Sequence, residues 1–312
     1  MRLTMALNPP TSDIDPADVL RRIGWPAPVS CVVVEGGWDT YIWRFRTPDG
    51  REHALRVYRV AEERDVGEAA RREELALRAV AAAGLPAPAV EASGVHRGLP
   101  FFILSWLPGR TVIDVLQTRP WRLWRMGDQF GRLHARLHRV EIDPRLHYGS
   151  DAEWIGVVAD PAVEDAVRQR AVADAFCHFD FHPVNVLTDG SKMTGVFDFT
   201  SSGIADRRAD IGRTRAILLA APIPPSPLKP LLQFLRRQFA ATWARGYAKE
   251  AGSFPLDPIF EAWGALTFLR NLEEAVAEGR GWGRTQDIEA IRRYAAGRKR
   301  AGGIPESSGA AD

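Results

Sequence analysis

Four side chains that can bind a metal ion or a proton lie within an eight-residue stretch near the middle of the chain: His178, Asp180, His182 and Asn185. A further carboxylate, that of Asp198, follows in a short apolar run. Carboxylate and amide oxygens are ligands that Mg²⁺ prefers, and a separate carboxylate can orient an attacking hydroxyl. These residue types therefore predict Mg²⁺-dependent phosphoryl transfer.

Two apolar runs next to these residues predict a β-hairpin. Val186 and Leu187 directly follow the amide of Asn185, and residues 195–199 contain Asp198. The run Asp189-Gly190-Ser191 between them is a turn signal. We therefore expect a hairpin that brings Asn185 and Asp198 close together.

The same stretch resembles the catalytic loop of the aminoglycoside phosphotransferase family, whose members have a protein-kinase-like fold. The family pattern is His-x-Asp-x-x-x-x-Asn, followed by an apolar strand that ends in a metal-binding Asp; the matches are His178, Asp180, Asn185 and Asp198. The resemblance implies that Asp180 handles the hydroxyl proton, that Asn185 and Asp198 hold Mg²⁺, and that His178 supports the loop. It extends from about Val32 to Ile211.

Two other interpretations use these residues differently. On a strand, His178, Asp180 and His182 would all face one side, and two histidines with one carboxylate are the ligands of non-haem iron enzymes. That arrangement leaves Asn185 and Asp198 without a role. Separately, a histidine in a turn, such as His182, can simply be a cap or a solvated loop group.

The first third of the chain predicts a small antiparallel sheet with one principal helix. Patterning indicates a short helix at 11–24, three strands within 29–59, a helix over 61–84, and two more strands within 87–107. Gly36 and Gly37 separate the first two strands. Because glycine lets backbone N–H groups approach a phosphate closely, this pair is a candidate nucleotide contact.

The resemblance adds a basic residue and its acidic partner to this region. A strand residue of the family, commonly Lys, reaches the nucleotide phosphates, and here the match is Arg56. A helical Glu pairs with that residue; the match is Glu73, with Glu74 as the fallback. Arg keeps the charge but is a planar fork rather than a point charge. This departure supports one alternative, a nucleotide-binding regulatory protein without catalytic activity.

The run Pro100 to Leu107 resembles the hinge that joins the two lobes in the family, where the main chain contacts the nucleotide base. The resemblance assigns that role to the main chain of Ser105 to Leu107. We expect an α+β, bilobal kinase-like fold: an N-lobe over 1–107, a mainly helical C-lobe over 108–300, and a disordered tail over 301–312, which is rich in Gly, Ser and Ala.

Helices are predicted in the C-lobe at 121–140, from Pro161 to about Phe176, and at 231–251, 256–279 and 285–299. His134 and His138 lie one turn apart in the first of these, without an acidic residue between them, and we interpret both as structural. The resemblance also implies an Asp that braces the catalytic loop through backbone N–H groups. Asp210 is the match; it could also be a helix N-cap, and the two roles could hold together.

Composition limits the remaining function classes. The chain has 312 residues, of which 46% are hydrophobic and 26% charged, and its net charge is +2, which gives no strong nucleic-acid footprint. Its two cysteines, Cys31 and Cys177, do not form a disulfide framework and fit a reducing cytosol. No apolar run approaches the roughly 20 residues of a membrane span, and the segment Met1 to Pro10 lacks the long apolar core of a signal peptide.

Taken together, these features predict a cytoplasmic kinase that acts on a small molecule. It would transfer the γ-phosphoryl group of ATP or GTP to a hydroxyl group with the help of Mg²⁺. Neither nucleic acid nor a membrane is an expected partner. The patterns favour no single acceptor among aminoglycosides, macrolides, choline-like alcohols, homoserine and sugars.

Overall fold

The computed structural model describes residues 14–34, 40–59, 65–141, 144–146, 153–156, 158–223, 225–277 and 284–305. Contacts divide the chain into two compact units, Met1–Pro108 and Gly109–Asp312. The expected boundary between residues 107 and 108 lies one residue before this division.

The first unit is a five-stranded antiparallel sheet with two helices. Its strands pair in the order β1-β2-β3-β5-β4. The bounds are α1 (Pro16–Arg22), β1 (Ser30–Val33), β2 (Thr40–Arg46), β3 (Glu52–Tyr58), α2 (Val66–Ala82), β4 (Val90–His96) and β5 (Leu99–Ser105). The small antiparallel sheet predicted from the sequence is therefore confirmed.

Alternation along β3 decides which side chains enter the core of this unit. Leu55 and Val57 are fully buried and pack with residues of β2, β5 and α1. Because successive side chains of a strand point to opposite faces, Arg56 lies on the other side of the sheet. Helix α2 covers that side and begins at Asp65, whose side chain accepts from the N–H groups of Gly67 and Glu68.

The second unit is mainly helical and contains two small sheets. The helices are α3 (Val112–Thr118), α4 (Leu123–Leu137), α5 (Pro161–Arg170), α6 (Arg207–Ala220), α7 (Lys229–Ala251), α8 (Pro258–Ala277) and α9 (Thr285–Ala301). The strands are β6 (Arg110–Thr111), β7 (Ala175–Cys177), β8 (Val186–Thr188), β9 (Met193–Val196) and β10 (Gly203–Ala205), and they form the sheets β6-β8-β9 and β7-β10.

One predicted helix is too long. Helix α5 ends at Arg170, and the apolar residues Ala175–Cys177 form β7 instead of a last helical turn. They pair with β10, where Phe176 lies opposite Ile204, and all three are buried. A short apolar run has no periodicity of its own, so this tertiary pairing outweighed local helical preference.

Glycines allow the main helices of the second unit to approach closely. A Cβ atom at Gly131 of α4 would meet the backbone of Trp243 and Tyr247 in α7. A Cβ at Gly212 of α6 would likewise meet the backbone of Phe260 in α8. Larger residues at these positions would force the helices apart. The position of α6, which carries several residues of the site described below, depends on this contact.

The predicted disordered tail begins too early. After α9, the N–H of Ile304 donates to the carbonyl of Lys299, and Ile304 packs against a buried cluster that includes Ile259 and Phe260. Residues 302–305 are therefore ordered, and residues 306–312 lie outside the described part of the chain. Among the described residues, no helix is both long and apolar enough to cross a membrane.

Candidate active site

The predicted hairpin forms and brings the two candidate metal ligands to one end of it. Strands β8 and β9 are antiparallel, with Val186 opposite Val196. The N–H of Phe197 donates to the carbonyl of Asn185 at 3.1 Å. Asp198, the residue after Phe197, therefore lies close to Asn185 at the open end of the hairpin. Asp198 has a φ of +66°, which is rare for a residue with a side chain. Thr200 donates its hydroxyl to Asp198 Oδ1 at 2.6 Å.

Asp180 lies in the loop between β7 and β8, and two side chains of the same loop hold its carboxylate. Asn185 Nδ2 donates to Asp180 Oδ2 at 2.7 Å and to the Asp180 carbonyl at 3.0 Å. His182 Nε2 lies 3.2 Å from the same Oδ2. His182 Nδ1 accepts from the N–H of Val184, so Nε2 carries the ring proton and donates to the carboxylate.

His182 therefore does more than cap the loop, which was one interpretation of the sequence. Burial on its own would raise the pKa of Asp180, but the ring of His182, followed by the Arg213 guanidinium and His178, holds that pKa well below its usual range. The carboxylate is ionised at neutral pH, and its side chain is still 30% exposed. An ionised, accessible carboxylate can accept a hydrogen bond from a hydroxyl group.

His178 is completely buried beneath the loop. Its Nδ1 accepts from the N–H of Asp180 at 3.3 Å, and its Nε2 lies 3.2 Å from the carbonyl oxygen of Phe197. Burial lowers the pKa of His178, so the ring is neutral. The ring of His178 thus bridges Asp180 and Phe197, the residue before Asp198. Of the two residues predicted as catalytic, His178 is the one placed to support the loop.

The two-histidine iron site is wrong. Residues 178–185 form a loop rather than a strand, and Phe179 has a φ of +60°, which breaks the alternation that this site required. Both ring nitrogens of His178 are engaged by main-chain groups, as described above. His178, Asp180 and His182 therefore do not face a common point.

Asp210 braces the loop in the way that the resemblance implied. Its Oδ2 accepts from the N–H of His178 at 2.7 Å, and its Oδ1 accepts from the N–H of Phe179 at 3.0 Å. His134 of α4 and His138, the C-cap residue of that helix, each place Nε2 3.2 Å from the same Oδ2. Burial would raise the pKa of Asp210, but the two imidazoles outweigh it and hold that pKa well below its usual range.

The alternative that Asp210 caps its helix is wrong, because Asp206 is the N-cap of α6 and accepts from the N–H of Arg208. Both histidines are structural, as interpreted from the sequence. Among groups of three or more His, Cys, Asp or Glu side chains in the described part of the chain, His134, His138 and Asp210 are the one set whose ligand atoms lie close enough together to hold a metal ion. Since the Asp210 carboxylate already accepts two main-chain hydrogens, we interpret the group as a hydrogen-bond network.

In the first unit, Arg56 and Glu73 form the predicted pair. Arg56 Nη1 donates to Glu73 Oε1 at 2.5 Å, and its Nε donates to the hydroxyl of Thr40 at 3.2 Å. Glu73 is only 1% exposed, and the hydroxyl of Tyr58 donates to its other oxygen. The fallback residue, Glu74, instead forms a surface ion pair with Arg78.

The remaining nucleotide candidates are only partly placed. Gly36 and Gly37 lie outside the described residues. The N–H of Ser105 donates to the carbonyl of Ala89 at 2.9 Å, and that of Trp106 donates to the carbonyl of Glu52 at 3.1 Å. The N–H groups of Ser105 and Trp106 are therefore both paired within the first unit.

The sequence reasoning missed Arg213. This buried residue of α6 donates its Nε to the carbonyl of Phe179, and its Nη2 lies 3.9 Å from Asp180 Oδ1. The sequence does contain a signal for it. Arg213 follows Asp210 by three positions, so both lie on one face of a helix, and an Arg among buried residues needs a partner.

Comparison with known proteins identifies the family and the fold. A family model described as "Phosphotransferase enzyme family" matches residues 30–249. No curated protein matches the chain significantly. Because the family match covers more than half of the chain, it identifies the family directly.

Solved structures share the fold at low sequence identity. The chain is similar to the amicoumacin kinase hAmiN, solved with AMP-PNP and Ca²⁺, at 17% identity and a TM-score of 0.61, covering 92% of this chain and 94% of that one. It is similar to a type VIII aminoglycoside-3′-phosphotransferase (21%, TM-score 0.57, 79% and 96%). It is also similar to an ethanolamine kinase of Plasmodium vivax (11%, TM-score 0.52, 88% and 82%). The α+β, kinase-like fold is thereby confirmed, and the chain belongs to the phosphotransferase enzyme family.

Proposed function

We propose that this phosphotransferase moves the γ-phosphoryl group of ATP or GTP to a hydroxyl group of a small molecule, with Mg²⁺ as its cofactor. The observation that carries the proposal is the loop between β7 and β8 together with the hairpin that follows it. An ionised carboxylate, Asp180, lies beside Asn185, and Asn185 adjoins Asp198 across the hairpin end.

The donor atoms fit a hard divalent cation. Asn185 uses its Nδ2 to hold Asp180, so its amide oxygen is the atom that can face a cation. Asp198 contributes a carboxylate, one oxygen of which is oriented by Thr200. Two protein oxygens are a usual complement for Mg²⁺, which keeps several waters and binds substrate phosphates. When bound, the cation would neutralise charge on the phosphates. The amicoumacin kinase was solved with Ca²⁺ and a nucleotide analogue, which supports a divalent cation here.

Asp180 would accept the hydrogen of the acceptor hydroxyl and orient its oxygen for attack. The low pKa of this carboxylate favours orientation over full removal of the proton before attack. Asn185 and His182 both hold Oδ2, so Oδ1 is the oxygen that is better placed to face the acceptor. Positioning of this kind is the main protein contribution in phosphoryl transfer.

The first unit would bind the nucleotide. Arg56 would contact the phosphates, with Glu73 holding its guanidinium in place from the buried side. Gly36 and Gly37 would contribute main-chain N–H groups to the phosphates, and the main chain at Ser105 to Leu107 would contact the base. The relatives named above act on amicoumacin, aminoglycosides and ethanolamine, so we propose a hydroxyl-bearing small molecule as the acceptor. We propose a cytoplasmic location because both cysteines are free.

The direct test is a panel of alcohols assayed with ATP and with GTP, each with Mg²⁺ and with a chelator. The panel contains aminoglycosides, macrolides, choline and ethanolamine, homoserine and simple sugars. We expect transfer to at least one of them, dependent on the divalent cation. Absence of both transfer and nucleotide hydrolysis would instead favour the catalytically inactive, nucleotide-binding alternative.

Asp180→Ala tests the assigned role. Transfer should fall by about 10²- to 10⁴-fold, the range for a residue that handles a proton, while nucleotide binding persists. Asp189→Asn is the matched control, because Asp189 belongs to the turn at the other end of the hairpin and its Oδ1 accepts from the N–H groups of Ser191 and Lys192. Turnover retained in Asp180→Ala would contradict the assignment.

A further inference from the structure

Helix α6 holds both ends of the residue that precedes Asp180. The N–H of Phe179 donates to Asp210 Oδ1 at 3.0 Å, and its carbonyl accepts from Arg213 Nε. Phe179 has a φ of +60°, a conformation that a residue with a side chain adopts only where its surroundings impose it. Asp210 and Arg213 lie one turn apart, so one face of α6 imposes this conformation on Phe179.

The same helix also holds the residue after Asp180. The hydroxyl of Thr214 donates to the carbonyl of Phe181 at 3.1 Å. Helix α6 therefore forms hydrogen bonds with the main chain on both sides of Asp180. The peptide that joins Phe179 to Asp180 is held by Arg213, and it determines the direction in which the Asp180 side chain leaves the backbone.

Arg213 has a second contact, with the carboxylate itself. Its Nη2 lies 3.9 Å from Asp180 Oδ1, whereas Asn185 and His182 both contact Oδ2. The Arg213 side chain is 9% exposed. With its amide oxygen turned toward α6, Asn271 of α8 accepts from Nη2 at 3.0 Å. The charged groups that face the guanidinium are Asp180, Asp210 and Arg270.

We propose that Arg213 is a positioning residue for phosphoryl transfer: it fixes the peptide between Phe179 and Asp180 and thereby aims Asp180 Oδ1 at the acceptor. The inference rests on the proposed function, because it assigns Asp180 the role described there. The planar guanidinium of Arg213 makes two contacts in different directions: Nε donates to the Phe179 carbonyl, and Nη2 faces the Asp180 carboxylate. A lysine offers one point charge and cannot reproduce both contacts.

The first experiment compares Arg213→Met, Arg213→Lys and Arg215→Met in the full-length protein. Arg215 is a matched control on the same helix, since its side chain contacts Glu261 and Tyr294 instead of the loop. The assay is transfer of the γ-phosphoryl group of Mg·ATP and Mg·GTP to water, and to any alcohol that the panel identifies. The melting temperature of each variant sets an assay temperature at which all are folded.

We expect Arg213→Met to lower kcat at least tenfold while the nucleotide KM changes less than threefold. Arg213→Lys should recover less than half of the lost activity, and Arg215→Met should stay within threefold of the wild type. Full activity in Arg213→Lys would show that charge alone suffices, which would overturn the proposal. An unchanged kcat in Arg213→Met would do the same.

A double-mutant cycle separates positioning from a general effect on the fold. In the Asp180→Asn background, Arg213→Met should lower the remaining kcat less than threefold, because the carboxylate that it positions is already gone. The same tenfold loss in both backgrounds would overturn the inference. Equal turnover by wild type and Asp180→Asn would instead refute the proposed role of Asp180, so the two failures are distinguishable.

Amide hydrogen exchange provides a readout that needs no turnover. Without nucleotide, the N–H groups of residues 179–181 should exchange at least tenfold faster in Arg213→Met than in the wild type or in Arg215→Met. If exchange in this segment is the same in all three proteins, Arg213 does not fix the loop and the proposal is wrong, whatever the activities are.

Discussion

Each unit contains a buried carboxylate next to its candidate functional residues, but the two carboxylates bind different parts of the chain. In the first unit, Glu73 accepts hydrogen bonds from the side chains of Arg56 and Tyr58. In the second unit, Asp210 accepts from two main-chain N–H groups of the loop and lies within 3.2 Å of the two imidazoles of α4.

Because their partners differ, the two carboxylates should affect different functions. Glu73 positions a side chain, whose strand is already fixed by pairing with β2 and β5. Asp210 fixes the backbone of a loop that has no sheet partner and contains Phe179 at a φ of +60°. Loss of Glu73 should therefore weaken nucleotide binding, whereas loss of Asp210 should disturb both the fold and the catalytic step.

The largest effect is expected for Asp210→Asn. The replacement amide turns an N–H₂ group toward donors of the loop or of α4, and it removes the charge that they face. Urea unfolding should show a loss of about 3–5 kcal/mol, the cost of breaking a buried charged network, and transfer should fall to background. An unfolding midpoint within error of the wild type would contradict the bracing role.

Acid should destabilise the second unit through His134. Burial, reinforced by His138, lowers the pKa of His134 from 6.5 to about 4. Since the unfolded chain binds this proton more readily, the contribution of His134 to the free energy of unfolding should be constant above about pH 7. It should then fall by up to about 3 kcal/mol between pH 6.5 and pH 4. Unfolding in urea across this pH range measures the slope.

His134→Gln isolates that contribution, because glutamine can donate to Asp210 but does not titrate. His178, also in the second unit, and His96, in the first, have pKa values lowered by burial and act in the same direction. The free energy of unfolding of the variant should therefore still fall as the pH is lowered, but less steeply, because the contribution of His134 is missing. An identical slope in wild type and variant would mean that His134 is not a source of it.

Glu73→Gln should have an intermediate effect that is mainly functional. Arg56 and Tyr58 would share a neutral partner, so we expect the nucleotide KM to rise about tenfold and stability to fall by about 1–3 kcal/mol. The control is Glu74→Gln, in which only surface contacts change and stability should stay within about 0.5 kcal/mol. If both variants behave alike, the burial of Glu73 has no functional meaning.

The smallest effect is expected for Arg56→Lys. Lysine keeps the positive charge next to Glu73 but loses the Nε contact to Thr40. The KM values for ATP and GTP should rise less than about tenfold, and less than in Arg56→Met. Equal impairment in the two variants would show that the guanidinium shape, rather than its charge, is what the nucleotide site requires.

Much of the fold could be predicted because its signals are local. Alternation and turn residues located all five strands of the first unit, and apolar stripes located the long helices of the second. The hairpin was predictable because Asn185, Asp198 and the turn at 189–191 are close in sequence. Where the local signal was absent, prediction failed: Ala175 and Phe176, predicted as the end of a helix, belong to β7, and residues 302–305 are ordered by packing of Ile304.

The sequence by itself determined which residue types are available for the chemistry and the short-range spacing among them. Carboxylates and amides at the ends of apolar runs carry that information within a few positions of the chain. The apolar stripe of one helix also allowed Glu73 to be predicted as the partner of Arg56.

The contacts that hold the Asp180 loop in place became visible only in the tertiary structure. Arg213 contacts the loop from α6, and His134 and His138 contact Asp210, which holds the loop, from a part of the chain that is distant in sequence. Glycines allow α4 and α6 to approach α7 and α8 closely. Hydrogen bonds between such distant groups have no periodicity that a sequence could display. The conformation of Phe179 and the orientation of Asp180 therefore follow from packing, because α6 supplies the partners that the loop lacks.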